Sequence, residues 1–292
     1  MFEILHTFET EPWLFYTAIV ATGLCLGSFL NVVIYRLPLM LERDWRIQCR
    51  DYLQIETPDL NSQSDNLGLH SPASACPQCG HKIKAWENIP VLSYLFLRGK
   101  CSSCATPISI RYPVVELLTA ALSVTVAMKY GVTYETFAAL IFTWTLIALA
   151  LIDFDKQLLP DNMTLPLLWI GLFISLFDIF TDTSASIIGA ISGYMILWVV
   201  FYTFKTITGK EGMGFGDFKL LAAIGAWVGW SLLPQVILIS SVVGSIIGVS
   251  MLLTGLTKRQ QPIPFGPYLA IAGWIVLLWG HEINAFYLSK LH

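Results

Sequence analysis

Charged residues are scarce in this chain. Only 13% of the 292 residues are Asp, Glu, Lys or Arg, against roughly 25% in an ordinary soluble domain. Positive charge shows no excess either: the formal net charge is −3, which argues against a broad basic surface for nucleic acid. The opening stretch, MFEILHTFETEP, lacks the basic start of a secretory signal, so the first apolar segment is expected to be retained as an anchor. These absences favour a membrane protein.

Long apolar segments separated by short polar breaks fill most of the remaining sequence. Hydrophobic residues make up 55% of the chain, and a helix needs about 20 mostly apolar residues to span a bilayer. We therefore predict an all-α polytopic membrane protein with about eight transmembrane helices, seven or nine being alternatives. The predicted segments are 13–35, 113–130, 134–152, 163–180, 184–204, 218–232, 234–256 and 267–288. The segment 218–232 is short and glycine-rich, which suits a tilted, shielded or incomplete span.

The distribution of Lys and Arg predicts the orientation in the membrane. With eight spans, 15 of the 17 Lys and Arg residues fall on the same side as residues 36–112, leaving only Lys129 and Lys290 on the other. Because basic loops stay in the cytoplasm, both termini are expected outside and the loops 153–162 and 205–217 inside. The chain then divides into an N-terminal segment with the first helix (1–35), a small cytoplasmic insertion (36–112) and a polytopic domain (113–292).

Four cysteines lie in two pairs within this insertion. Cys76 and Cys79 form one Cys-x2-Cys knuckle, and Cys101 and Cys104 form a second after 21 intervening residues. Paired knuckles present four thiolates tetrahedrally to zinc, and Gly80 suits the tight turn after the first pair. Two disulfides or unrelated thiols are the alternative, although a cytoplasmic location argues against disulfides. A site closed by four Cys is expected to be structural, stabilising a small domain that has little apolar core.

Two aspartates lie where an apolar segment meets a polar loop. Asp153 directly follows the apolar run LIALALI, and Asp217 precedes another after glycines 212, 214 and 216. A carboxylate at the end of a spanning helix is costly, so it indicates function by default. Two such acids at one depth share a proton: the ionised one can activate water and the protonated one can polarise a peptide carbonyl. The glycines would leave room for an extended substrate backbone.

Ordinary interfacial acids are the competing interpretation. Asp155 and Asp161 follow Asp153 in the loop and are more readily explained as solvated partners of Lys156 or Lys219. For the two acids at the helix ends, spacing alone leaves both interpretations about equally open.

Several ordered motifs resemble the bacterial type IV prepilin peptidases, the leader peptidases and N-methyltransferases of type IV pili and type II secretion. They are GSFLNVVIYRLP at 27–38, the four-Cys pattern at 76–104, ISIRYPVVELLTA at 108–120, LIDFDKQLLPD at 151–161 and GMGFGDFKLLAAIGAWVGW at 212–230. The resemblance implies that Asp153 and Asp217 are the catalytic pair. Asp155 and Asp161 would be supporting residues near the substrate, together with Gly214 and Gly216 of the second catalytic motif.

The same resemblance implies two reactions at the bacterial inner membrane. A membrane aspartic endopeptidase would cleave the basic leader of prepilins and pseudopilins after Gly at the cytoplasmic face. The new N-terminal amine would then be methylated with S-adenosylmethionine. The residues themselves show no glycine-rich cofactor loop; Asn31 and Arg36 are candidates for this step, although anchoring and packing explain them about as well. The role of Glu116 stays open.

Three other functions compete with this prediction. A transporter could use the acids as a proton relay, but they cluster at one face and no inverted repeat is evident. A zinc-dependent hydrolase would need an open metal site, and His-Glu-x-x-His does not occur. A non-enzymatic assembly scaffold would explain the helices and the zinc insertion but not the paired acids.

Overall fold

The computed structural model describes residues 7–54, 67–254 and 264–291. Within these ranges the regular structure is almost entirely helical, with two isolated β-bridges, Ala75 to Lys82 and Lys100 to Pro107. The chain folds as two compact units, residues 1–128 and 129–292. The predicted all-α class is therefore confirmed.

The first unit is built mainly from two long helices. Its helices are α1 (Pro12–Leu53), a 3-10 turn (Ala85–Asn88), α2 (Leu92–Phe96) and α3 (Arg111–Tyr130), whose last two residues pass into the second unit. Gly23 and Gly27 allow α1 to pack closely on α3, since a Cβ at these positions would lie 2.8 Å from the Ala120 Cα and 2.7 Å from the Glu116 Cα. Small residues allow such close approach between apolar helices.

Helix α1 is longer than the sequence indicated. The segment predicted to end at residue 35 continues without a break to Leu53 and crosses the proposed start of the insertion at residue 36. The continuation, LMLERDWRIQCRDYL, is rich in the strong helix formers Leu, Arg and Glu, so polarity ends the apolar stretch without ending the helix. The three-part division of the chain stays a prediction.

In its described residues, 129–254 and 264–291, the second unit contains six α-helices. They are α4 (Tyr134–Lys156), α5 (Asp161–Ile174), α6 (Thr183–Thr208), α7 (Phe215–Val228), α8 (Leu233–Leu253) and α9 (Gly266–Leu291), with a 3-10 turn (Ser175–Phe177) after α5. Each of the eight predicted segments thus contains a helix. In the described ranges, six helices are long and apolar enough to cross a membrane: α1, α3, α4, α6, α8 and α9.

The two remaining predicted segments form shorter helices, and a tilted, shielded or incomplete span was already the prediction for 218–232. Helices α5 and α7 have 14 residues each, or about 21 Å at 1.5 Å per residue, against a hydrocarbon core of about 30 Å. Helix α5 passes into a 3-10 turn and stops where Asp178 takes a left-handed conformation. Helix α7 is instead buried in protein: from Asp217 to Val228 every residue except Lys219 is buried. A helix that is apolar on all sides needs such surroundings.

Close backbone contact holds α7 against α6. A Cβ on Gly225 would lie only 2.2 Å from the Gly189 carbonyl oxygen, so these helices meet through two glycines. On another side of α7, the Trp227 indole donates to the Leu167 carbonyl of α5 at 2.8 Å. These contacts fix the position of α7 and of the acid in its first turn.

Candidate active site

Asp153 lies in the last turn of α4 and is bound by the start of another helix. Its side chain is 6% exposed, and its Oδ2 accepts a hydrogen bond of 3.0 Å from the backbone N–H of Gly266. Gly266 is the first residue of α9, where backbone N–H groups have no partner within the helix and the helix dipole favours negative charge. A Cβ on Gly266 would lie 2.6 Å from the same oxygen, so only glycine permits this approach.

Asp217 lies in the first turn of α7 and is 7% exposed. Its Oδ1 is buried and has no hydrogen-bond partner in the described part of the chain. A buried polar atom without a partner is costly in a folded protein and calls for an explanation. A water molecule at this position could donate to the oxygen, and a protonated Asp217 could instead donate to a substrate carbonyl.

The structure brings these two acids into one site. Their carboxylates are close enough for the charge of Asp153 to act on Asp217. Leu159 connects their surroundings: a Cβ on Gly216 would lie 2.8 Å from the Leu159 Cβ, and one on Gly266 would lie 3.2 Å from its Cδ1. The end of α4 and the starts of α7 and α9 thus meet around one leucine.

Gly266 was not identified from the sequence as part of the site. The surrounding PFGPY is typical of a helix start, because glycine and proline punctuate an apolar run there. No local signal connects it to Asp153, from which it is separated by 113 residues. Only the packing of α9 against α4 brings the two together.

The remaining residues predicted near the substrate occupy different environments. Asp161 is paired with Lys219, whose Nζ lies 2.7 and 2.8 Å from its two carboxylate oxygens, while Asp155 is exposed. Gly214 precedes α7, and an added Cβ would meet no atom within 4 Å. Gly216 packs against Leu159 instead. Of these two glycines, only Gly214 therefore borders open space. Asp161 pairs with Lys219, as the interpretation of an ordinary interfacial acid predicted.

The four knuckle cysteines converge in the first unit. Their Sγ atoms all lie within 4.8 Å of one another, at 3.8 Å for Cys76 with Cys104 and 4.0 Å for Cys79 with Cys101. Four sulfurs placed tetrahedrally about 2.3 Å from zinc would be about 3.8 Å apart. All six cysteines are free, so the alternative of two disulfides is not adopted. The four thiols could hold a metal ion.

The two knuckles repeat one backbone conformation. The N–H of Gly80 donates to the Cys76 carbonyl at 2.9 Å, and the N–H of Ala105 to the Cys101 carbonyl at 3.0 Å. Both residues have positive φ, 69° and 57°. The Thr106 hydroxyl oxygen lies 3.1 Å from the Cys104 Sγ. Hydrogen bonds from the Thr106 side chain and backbone and from the neighbouring thiols of Cys79 and Cys101 lower the pKa of Cys104 to about 6, which favours the thiolate at this ligand.

Comparison with known proteins decides the family. A prepilin leader peptidase/N-methyltransferase of Aeromonas hydrophila is 54% identical over 279 residues, 96% of each chain. A protein of the same name from Pseudomonas aeruginosa is 53% identical over 286 residues, 98% of each chain. The chain belongs to the type IV leader peptidase family.

The matches to family models cover both sites. The type IV leader peptidase family matches residues 140–249, which include Asp153 and Asp217. The bacterial peptidase A24 N-terminal domain matches residues 21–130, which include the four knuckle cysteines. No solved structure gave a significant match. Membership of this family, with six apolar helices, makes the chain a multi-pass protein of the inner membrane.

The two residues predicted for methyl transfer border a cavity in the first unit, together with Glu116. The Asn31 side-chain amide donates to the carbonyls of Gly27 and Tyr112, both at 3.2 Å. Arg36 donates from Nη1 to a loop carbonyl, that of Gly68, at 2.9 Å. Asn31 thus connects α1 to α3, as the packing alternative predicted.

Proposed function

We propose that this chain is a prepilin peptidase that cleaves by an aspartic mechanism and then methylates the new N-terminus. The observation that carries the proposal is the meeting of two buried carboxylates, Asp153 and Asp217, at the ends of two apolar helices. The names of the relatives support the pairing of peptidase and methyltransferase activities.

The surroundings of the acids suggest a different role for each. Asp153 accepts a backbone N–H at a helix start, which stabilises its ionised form. Asp217 has a buried oxygen with no donor in the described residues, which suits the protonated member of the pair. Asp153 then takes a proton from water as the water oxygen attacks the scissile carbonyl carbon, and Asp217 gives its proton to the carbonyl oxygen. Collapse of the tetrahedral diol breaks the C–N bond: Asp153 gives its proton to the leaving amine, and a diol hydroxyl returns a proton to Asp217 as the carboxyl product forms.

The expected substrate is a protein with a basic leader followed by an apolar helix, as in prepilins and pseudopilins. The dyad lies at the end of a membrane-spanning helix, where a bond at the border of an apolar segment would be accessible. The Lys and Arg distribution favours a cytoplasmic location for this end. Gly214 borders open space for the substrate backbone, and the exposed Asp155 adds negative charge that would attract basic leader residues.

The proposed function involves two bound groups, a metal ion at the four cysteines and a methyl donor. Four thiolates at tetrahedral spacing fit zinc, in a closed structural site that stabilises the small domain. Methylation needs a methyl donor, for which we propose S-adenosylmethionine, a sulfonium that supplies a transferable methyl group.

The Asn variants of the two acids test the dyad. Asp153→Asn and Asp217→Asn are each expected to slow prepilin cleavage in detergent or liposomes at least about a hundredfold, because each removes a proton-transfer group. The control is Glu135→Gln at the opposite end of α4, which should cleave normally. Transfer of labelled methyl to an already cleaved peptide, measured in parallel, separates a failed protease from an unfolded protein. Full cleavage by either Asn variant would overturn the dyad.

A further inference from the structure

The first unit contains a cavity of about 470 Å³ between α1, α3 and the cysteine knuckles. This volume is in the range of small-molecule sites, which combine apolar walls with a few convergent polar groups. Three of its polar lining residues, Asn31, Arg36 and Glu116, are buried. The proposed peptidase chemistry, which lies in residues 129–292, uses none of them.

Glu116 gives the cavity a negative group. Its side chain is 7% exposed, and its Oε2 accepts the backbone N–H of Val91 at 2.7 Å. Among the described residues, no Lys or Arg forms an ion pair with it. A buried carboxylate without a cation is costly, and a positively charged ligand would offset that cost. Tyr35 and Tyr112 line the same cavity and offer aromatic faces, which also attract cations and flat rings.

Arg36 gives the cavity a positive group. Its Nη1 donates to the carbonyls of Gly68 and Leu69, but a guanidinium has five donors, so others remain for a ligand. Arginine is well suited to carboxylates, which it binds with two parallel hydrogen bonds. The cavity therefore suits a ligand that carries a cation, a carboxylate and a planar ring.

We propose that this cavity binds S-adenosylmethionine, with Glu116 offsetting its positive charge and Arg36 binding its carboxylate. The inference rests on the proposed methyltransferase function and specifies where the donor binds. It also gives Asn31 a different role from the one that the sequence suggested: its amide hydrogens bond two backbone carbonyls, so it positions the wall rather than binding the ligand.

Titration calorimetry on the full-length protein in detergent tests the assignment with two ligands that differ in charge. S-adenosylhomocysteine lacks the sulfonium charge of S-adenosylmethionine. Glu116→Gln keeps the shape of the side chain and removes its charge, so we expect at least tenfold weaker binding of S-adenosylmethionine and a smaller loss for S-adenosylhomocysteine. The control Glu42→Gln, an acid of α1 outside the cavity lining, should bind both as the wild type does.

A second variant covers the case in which Glu116→Gln does not fold, as judged by its thermal unfolding midpoint. Tyr35 is 67% exposed, so Tyr35→Ala should fold and bind both ligands severalfold more weakly. Wild-type affinity in a folded Glu116→Gln protein, equal losses for the two ligands, or unchanged binding in Tyr35→Ala would each overturn the proposal. Prepilin cleavage by the wild type is measured alongside. A wild type that cleaves but does not bind the donor refutes this inference alone, whereas one that fails to cleave refutes the proposed peptidase.

Discussion

Gly80 and Ala105 occupy equivalent positions in the two cysteine knuckles, yet only one of them is glycine. Both have positive φ, 69° and 57°, a conformation that costs other residues roughly 1–2 kcal/mol. The sequence predicted the glycine turn after Cys79, because glycine suits this conformation. It gave no sign that an alanine adopts the same conformation after Cys104, since alanine has no preference for it. The shared geometry comes from the four thiols meeting at one point.

The positive φ of Gly80 predicts how zinc affinity responds when this residue is substituted. Gly80→Ala should weaken zinc binding about fivefold, because the added methyl meets nothing within 4 Å and the cost of about 1 kcal/mol is purely conformational. Chelator competition, with zinc content per chain measured by elemental analysis, gives the affinity.

Gly131→Ala is the matched control for this substitution. It has φ of 68° and equally open surroundings, but lies in the second unit. It should leave zinc affinity unchanged. Equal affinity in the wild type and Gly80→Ala would mean that the turn does not shape the metal site.

Helix α7 shows what the apolar pattern could and could not predict. The run after Asp217 predicted an apolar helix, and its glycines suggested an incomplete span, which the 14-residue length supports. The contact between Gly225 and Gly189 was not predictable, because a glycine in a helix gives no indication of which neighbour it meets. The same limit applies to Gly266, whose N–H binds Asp153 across 113 residues.

The backbone contact between α6 and α7 predicts a large effect from one methyl group. A Cβ on Gly225 would lie 2.2 Å from the Gly189 carbonyl oxygen, and backbone cannot move aside as a side chain can. Gly225→Ala should therefore destabilise the protein by about 3 kcal/mol, at the upper end for overpacked cores. Thermal unfolding in detergent measures the loss, and prepilin cleavage should fall with it because α7 carries Asp217.

Gly244→Ala provides the comparison on α8. There the added Cβ would be 3.0 Å from the ring of Tyr268, and a side chain can shift to accommodate it. This variant should be close to wild type in stability. A Gly225→Ala protein as stable as the wild type would show that α6 and α7 separate easily.

At the scale of the whole chain, composition predicted the class of protein and the approximate positions of most helices. Low charge and repeated apolar segments indicated a polytopic helical protein, and each segment contains a helix. Composition did not indicate that α1 continues to Leu53. The apolar segment ends near residue 35, whereas residues that favour a helix continue beyond it. The two acids could be singled out from the sequence, since a carboxylate at the end of an apolar helix is unusual wherever it occurs. Their assignment as the catalytic pair came from the family resemblance and stays a prediction.

Reporter fusions test the predicted orientation. The loop at residues 131–133 is expected outside the cytoplasm and the loop at 209–214 inside, because basic loops remain in the cytoplasm. Alkaline phosphatase should be active when fused after residue 131 and inactive after residue 209, and a fluorescent protein that matures in the cytoplasm should show the opposite pattern. The reverse result would put the dyad on the outer face and exclude cleavage of a cytoplasmic leader.

The two compact units have a pharmacological consequence. The acids assigned to cleavage belong to residues 129–292, and the cavity assigned to the methyl donor belongs to residues 1–128. An inhibitor directed at the cavity would leave leader removal intact and yield pilins with an unmodified amine. An inhibitor directed at the dyad would stop maturation at its first step, so two classes of compound would yield two distinguishable products in treated cells.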